Sequence, residues 1–190
     1  FSSEMERTLQ VLDYAILVVN GADGVQAHTK TLWRLLKRYQ IPVFLFVNKM
    51  DQPGADKDAL FAEIRKQLSD SCVDFSDLTS DECLEQIAVS DEKLLNHFLE
   101  EGTLSKEQIA GAIAKRGVFP CLFGSALRNE GVKELLEFLY EYIDMPDYGK
   151  DFGARVFKIA RDEQGNRLTY MKVTGGYLKV RETLSSHPEN

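Results

Sequence analysis

The chain reads as α/β: a parallel sheet with flanking helices, followed by the start of an antiparallel β-barrel domain. Three observations predict this. Short, solidly apolar runs alternate with segments whose apolar residues recur at i, i+3, i+4 and i+7, the pattern of buried strands joined by amphipathic helices. The order strand, helix, strand, helix, strand, helix implies right-handed crossovers. Beyond Tyr148-Gly149 the period shortens and turn residues replace helices.

Taken in order, Ser3-x-x-Glu6 has capping-box spacing and opens a helix to about Leu12. Tyr14 to Val19 is a short buried strand, and Asp23-Gly24 turns the chain. Leu32, Leu35, Leu36 and Tyr39 form one stripe, so the segment from about Gln26 to Tyr39 is an amphipathic helix. Trp33 and the bases Arg34, Lys37 and Arg38 lie off that stripe, and the bases read as a solvated face. A second strand runs from Ile41 to Val47. Leu60, Ile64 and Leu68 mark the next helix. Thr79-x-x-Glu82 and Ser105-x-x-Gln108 mark further helix starts, with apolar sets at Leu84/Ile87, Leu94/Leu95/Phe98 and Ile109/Ile113. Val118 to Phe123 is a third strand, and Val132, Leu135, Leu136 and Leu139 belong to a helix that stops before Pro146. Two β segments, Arg155 to Ile159 and Leu168 to Val173, flank the Gly165-Asn166 turn, and Gly175-Gly176 leads toward a third. Residues 1–148 therefore read as one domain with an acidic helical insertion over about 70–115, and residues 149–190 as the opening of a second.

The 190 residues, 44% hydrophobic and 28% charged, suffice for one well-buried core and part of another. The longest apolar run is about seven residues against the roughly 20 of a spanning helix, and no signal segment opens the chain, so a cytoplasmic protein without membrane contact is expected. Cys72, Cys83 and Cys121 lack metal or redox spacing and read as reduced thiols, and His28, His97 and His187 are scattered; no metal site is expected from them. The net charge of −7 is uneven: residues 70–101 hold ten acids against the single base Lys93. Such a segment does not grip phosphate backbones, and no direct DNA binding is expected. It reads as a solvated helical insertion or, alternatively, as a docking surface for a basic partner.

The chemistry lies in two loops. Asn48-Lys49-Met50-Asp51 follows the strand ending at Val47, and an Asn-Lys-x-Asp loop in that place reads guanine. The Asp51 carboxylate can accept from the guanine N1–H and 2-amino groups, whereas adenine offers neither donor and would leave a carboxylate unpaired. Asn48 can hydrogen-bond the other purine edge and brace the loop. Lys49 can lay its methylene stem over the ring with its ammonium in water. The strand ending at Phe123 runs into Gly124-Ser125-Ala126-Leu127, the Ser-Ala form of a loop whose backbone N–H meets guanine O6. Both loops occupy strand carboxyl ends, where open α/β sheets bind ligands.

Together with Phe1-Ser2-Ser3-Glu4, Arg7, Val11-Leu12-Asp13, Gly24-Val25-Gln26, Thr29 and Val156-Phe157-Lys158-Ile159, these loops resemble the translational GTPases of the elongation factor G type, in order and spacing. The resemblance covers nearly the whole chain. It is nearest to the tetracycline-resistance ribosomal protection proteins and their elongation-factor-G-like relatives, in the length of the segment between the loops and in Gly24-Val25-Gln26-Ala27. It implies a partial P-loop NTPase-type sheet, GTP or GDP as ligand, the ribosome as partner, and nucleotide contacts at Asn48, Lys49, Asp51, Ser125 and Ala126. It also implies that the Mg²⁺-holding Asp and water-positioning His lie before Phe1. No Gly is followed five residues later by Gly-Lys and a hydroxyl residue, so the phosphate loop is absent, as are the Mg²⁺ ligands. No catalytic residue is expected in this chain and no hydrolysis by it alone. The strand at Tyr14 to Val19 is expected to have an unpaired apolar edge and to pair two copies through it. A stand-alone small GTPase sharing only the guanine loops is the remaining reading, against which the β segments after Tyr148 count.

Overall fold

The computed structural model describes residues 3–144 and 146–183. They fall into two compact units, residues 12–144 and residues 3–11 with 146–183.

The larger unit is built on four parallel strands, β1 (Ala15–Asn20), β2 (Val43–Asn48), β3 (Cys72–Asp74) and β4 (Phe119–Phe123), in the order β1-β2-β4-β3. Val43, Phe44, Leu45 and Val47 of β2 are wholly buried, which is why this strand is continuously apolar rather than alternating. Each such side chain contributes about 1.5–3 kcal/mol of transfer free energy. On one face, Phe44, Phe46 and Leu122 meet Ile87, Ile113 and Leu135 from helices α4 (Asp81–Ala88), α6 (Lys106–Ala114) and α7 (Val132–Tyr142), with α5 (Glu92–Glu101) laid alongside. On the other lie α2 (Ala27–Arg38) and α3 (Lys57–Gln67); Trp33 packs edge-on against Phe119 with ring centroids 4.7 Å apart. Arg116 stacks over both rings and donates to the Ile41 carbonyl. That anchorage accounts for a non-glycine residue holding the left-handed position, φ 61°, that ends α6.

The acidic segment is not a solvated appendage. Cys72 and Val73 enter the sheet as β3, paired to Phe119 and Pro120, and Phe75, Ile87 and Ile113 are wholly buried. The acids Asp81, Glu82, Glu85, Glu92, Glu100 and Glu101 occupy the outer faces. The expected Ser105/Gln108 capping box is present, with the Gln108 N–H 3.3 Å from Ser105 Oγ and the Ser105 N–H 2.7 Å from Gln108 Oε1. Helix α4 is capped by Ser80 rather than the expected Thr79, because the Thr79 hydroxyl is engaged by Asp77 Oδ1 at 2.6 Å.

In the smaller unit β5 (Gly153–Arg161) and β6 (Arg167–Gly175) form an antiparallel hairpin, and α1 (Ser3–Leu9) stops short of the expected Leu12. Arg155 and Lys172 face each other across the hairpin, where like charges repel. Their heads go to the carbonyls of Gln10, at 2.9 Å, and Val11, at 3.0 Å. No third strand follows Gly175-Gly176 among the described residues. The side-chain bonds expected of the Ser3 cap, the Phe1-Ser2 match and His187 lie outside what the structure describes. No helix among the described residues is long and apolar enough to cross a membrane.

Candidate nucleotide site

Because β2 and β4 are neighbours, in register from Leu45/Cys121 to Val47/Phe123, the loops that follow them emerge side by side. The backbone stitches them together: the Gly124 N–H donates to the Val47 carbonyl at 2.9 Å and the Met50 N–H to the Gly124 carbonyl at 3.0 Å. A Cβ at Gly124 would stand 2.2 Å from the Glu130 carbonyl oxygen, and one at Gly131, where φ is 72°, 2.5 Å from that of Phe123. Glycine is therefore required at both ends of the second loop. Between them Ser125 and Glu130 exchange two backbone hydrogen bonds of 3.0 Å, closing a rigid turn.

Asn48 links the loops. Its Oδ1 accepts from the N–H groups of Lys49 and Ala126, each at 2.8 Å, although Ala126 is 78 residues away in sequence. This occupies the oxygen and leaves the Nδ2 donors for a ligand. Lys49 holds a left-handed conformation, φ 66°, that turns its N–H back onto Asn48. The Ala126 N–H is spent on Asn48, and the next one, of the exposed Leu127, makes no hydrogen bond to a described residue.

The Asp51 side chain is only 13% exposed. The buried Ser125 hydroxyl beside it holds its carboxyl below the usual carboxylate range, and the charges of Arg128 and Lys49 act in the same direction. Arg128 Nε lies 3.4 Å from Asp51 Oδ2. All five residues singled out by sequence, Asn48, Lys49, Asp51, Ser125 and Ala126, are thus brought together at two adjacent strand ends. Arg128 was not foreseen; nothing in its sequence neighbourhood distinguishes it from a solvated base.

The donor and acceptor set fits a guanine base: one carboxylate for N1–H and the 2-amino group, one amide and one backbone N–H for the other edge. No group of three His, Cys, Asp or Glu side chains among the described residues is arranged to hold a metal.

Open α/β sheets bind ligands outside the carboxyl ends of their strands, which is where these two loops stand. The Elongation factor Tu GTP binding domain family matches residues 1–145, and the chain belongs to it. It is 34% identical, over 98% of its length, to the oxytetracycline resistance protein of Streptomyces rimosus. It is 30% identical, over 97%, to the tetracycline resistance protein TetP of Clostridium perfringens. In each case it spans 32% of the relative. A crystal structure from Thermus thermophilus superposes with a TM-score of 0.76 at 23% identity, covering 94% of this chain and 34% of that one, which establishes the shared fold. The resemblance to translational GTPases read from the sequence therefore holds at the level of the family.

Proposed function

We propose that this chain supplies the guanine-reading half of the nucleotide site of a ribosome-associated GTPase, one that couples GTP hydrolysis to a step of elongation or of ribosomal protection against tetracycline. Residues 1–148 are then the carboxyl part of the GTP-binding domain and 149–190 the opening of the second. The observation that carries the reading is the Asn48 Oδ1 bond to the Ala126 N–H at 2.8 Å, which ties the loop bearing Asp51 to the loop bearing Ser125 at neighbouring strand ends. Hydrolysis needs a phosphate cradle and Mg²⁺ ligands that these 190 residues do not contain, so the chain alone is expected to bind GDP at about millimolar Kd, near −4 kcal/mol, without turnover.

Calorimetry with GDP and ADP tests this, together with Asp51→Asn against xanthosine diphosphate. An asparagine amide donates to the xanthine C2 carbonyl where a carboxylate repels it. The expected result is guanine selectivity in the native chain and a switch toward xanthine in D51N. Equal binding of GDP and ADP, with no switch, rejects the reading.

A second reading is favoured by the exposure of Asp81, Glu82 and Glu85 on α4: the face docks a basic protein or factor. Reversing these three charges in the intact parent protein should then reduce its ribosome-stimulated activity while GDP affinity stays unchanged. The outer strand β1, with Ile16 46% and Val18 55% exposed, supports pairing of two copies of the chain, for which Val18→Lys should lower the sedimentation-derived mass.

A further inference from the structure

We propose that Arg128 is a counter-ion latch on Asp51, which guanine must displace to bind. The inference rests on the guanine-site reading above, and it concerns what occupies that carboxylate when no base does. The Asp51 side chain is 13% exposed, and the buried Ser125 hydroxyl beside it favours its charged form. An ionised carboxylate in such a place is costly to leave without further partners. The guanidinium supplies one: Arg128 Nε stands 3.4 Å from Oδ2, and its side chain is 59% exposed, open to the solvent from which a base arrives.

A base arriving from solvent meets the guanidinium first. Guanine presents two donors and needs both carboxylate oxygens, one of which faces Arg128. Both ligands carry donors only at this edge, so they compete for the same acceptor lone pairs and exclude one another.

The latch moves by side-chain rotation alone. Its backbone is pinned within the closed turn, with the Arg128 N–H donating to the Ser125 carbonyl at 3.1 Å and to Ser125 Oγ at 3.4 Å. The loop consequently keeps its shape whether the guanidinium is docked or displaced. Asp51 is charged and oriented before the base arrives, which lowers the ordering cost of binding, while the displaced ion pair subtracts from affinity.

The test is GDP and guanosine binding to the full-length protein and to its Arg128→Ala, Arg128→Lys and Asp51→Ala variants, at about 50 and 500 mM salt. Guanosine carries no phosphate and so removes any general attraction between Arg128 and the nucleotide charge. Loss of a partly exposed ion pair converts to about a two- to fivefold gain in affinity for R128A at low salt. The gain should shrink at high salt and appear with both ligands, with R128K between R128A and the native protein. Weaker or unchanged guanosine binding by R128A at low salt, or R128K matching R128A, overturns the latch. GDP binding by D51A equal to native overturns the guanine site itself, so the two failures are told apart.

Discussion

The parallel sheet and the β5–β6 hairpin draw on the same β-forming residues and use them in opposite ways. In β2, Val43, Phe44, Leu45 and Val47 lose all contact with water because helices cover both faces. In the hairpin, Val156, Ile159, Leu168, Tyr170 and Val173 remain 39–52% exposed. A strand's apolar content therefore does not set its contribution to stability; the layers packed against it do. The loops after β2 and β4 grow from the covered sheet, which gives them fixed positions.

The largest blow to the comparison should come from Phe44→Ala. Removing a wholly buried ring from the central strand is expected to cost about 3–5 kcal/mol, read as a fall in the urea midpoint with the slope unchanged. Gly131→Val comes next. It puts a β-branched residue at a left-handed position whose Cβ would crowd the Phe123 carbonyl, for about 1–3 kcal/mol and a disordered second loop, visible as lost amide dispersion at Ser125 to Glu130.

Acidification should then separate the two regions. The Asp162 carboxyl is held below its ordinary range first by the Asn166 side chain and then by turn N–H groups, including that of Asn166 at 2.7 Å. A depressed carboxyl stabilises the fold above its unfolded pKa, and that support is lost as pH falls through the lower folded value. Below the ordinary carboxylate range the Gln164 and Asn166 amide shifts should move while those of β2 stay, and Asp162→Asn should abolish the movement. The smallest effect is Ile159→Thr, expected within about 0.5 kcal/mol; a cost above about 2 kcal/mol would show that another part of the protein covers this face.

Legibility in the sequence follows the same divide. β1, β2, β4 and the helices α2, α3 and α7 were readable, since long apolar runs and clean 3.6-residue stripes need no tertiary information. β3 was not: three residues inside an acidic stretch carry no period, and only pairing with Phe119 to Cys121 makes them a strand. In the acidic segment the apolar sets that include Ile87, Ile109 and Ile113 were readable, but the net charge hid how fully they join the core. That the loops bearing Asn48, Asp51 and Ser125 stand at strand ends was legible, because each follows directly on an apolar run. The spending of the Ala126 N–H on Asn48 and the docking of Arg128 on Asp51 were hidden, since each depends on two loops more than 70 residues apart meeting at neighbouring strand ends.

The grip of Arg155 and Lys172 on the carbonyls of Gln10 and Val11 has a consequence in time. Residues 10 and 155 are separated by 145 positions, so during synthesis at about 5–20 residues per second the first segment emerges about 7–30 s before its partner exists. The larger unit is complete before Arg155 is made, whereas the smaller one must wait for the whole hairpin. Release of the nascent chain before about residue 175 would leave the carbonyls of Gln10 and Val11 without the two cations that hold them.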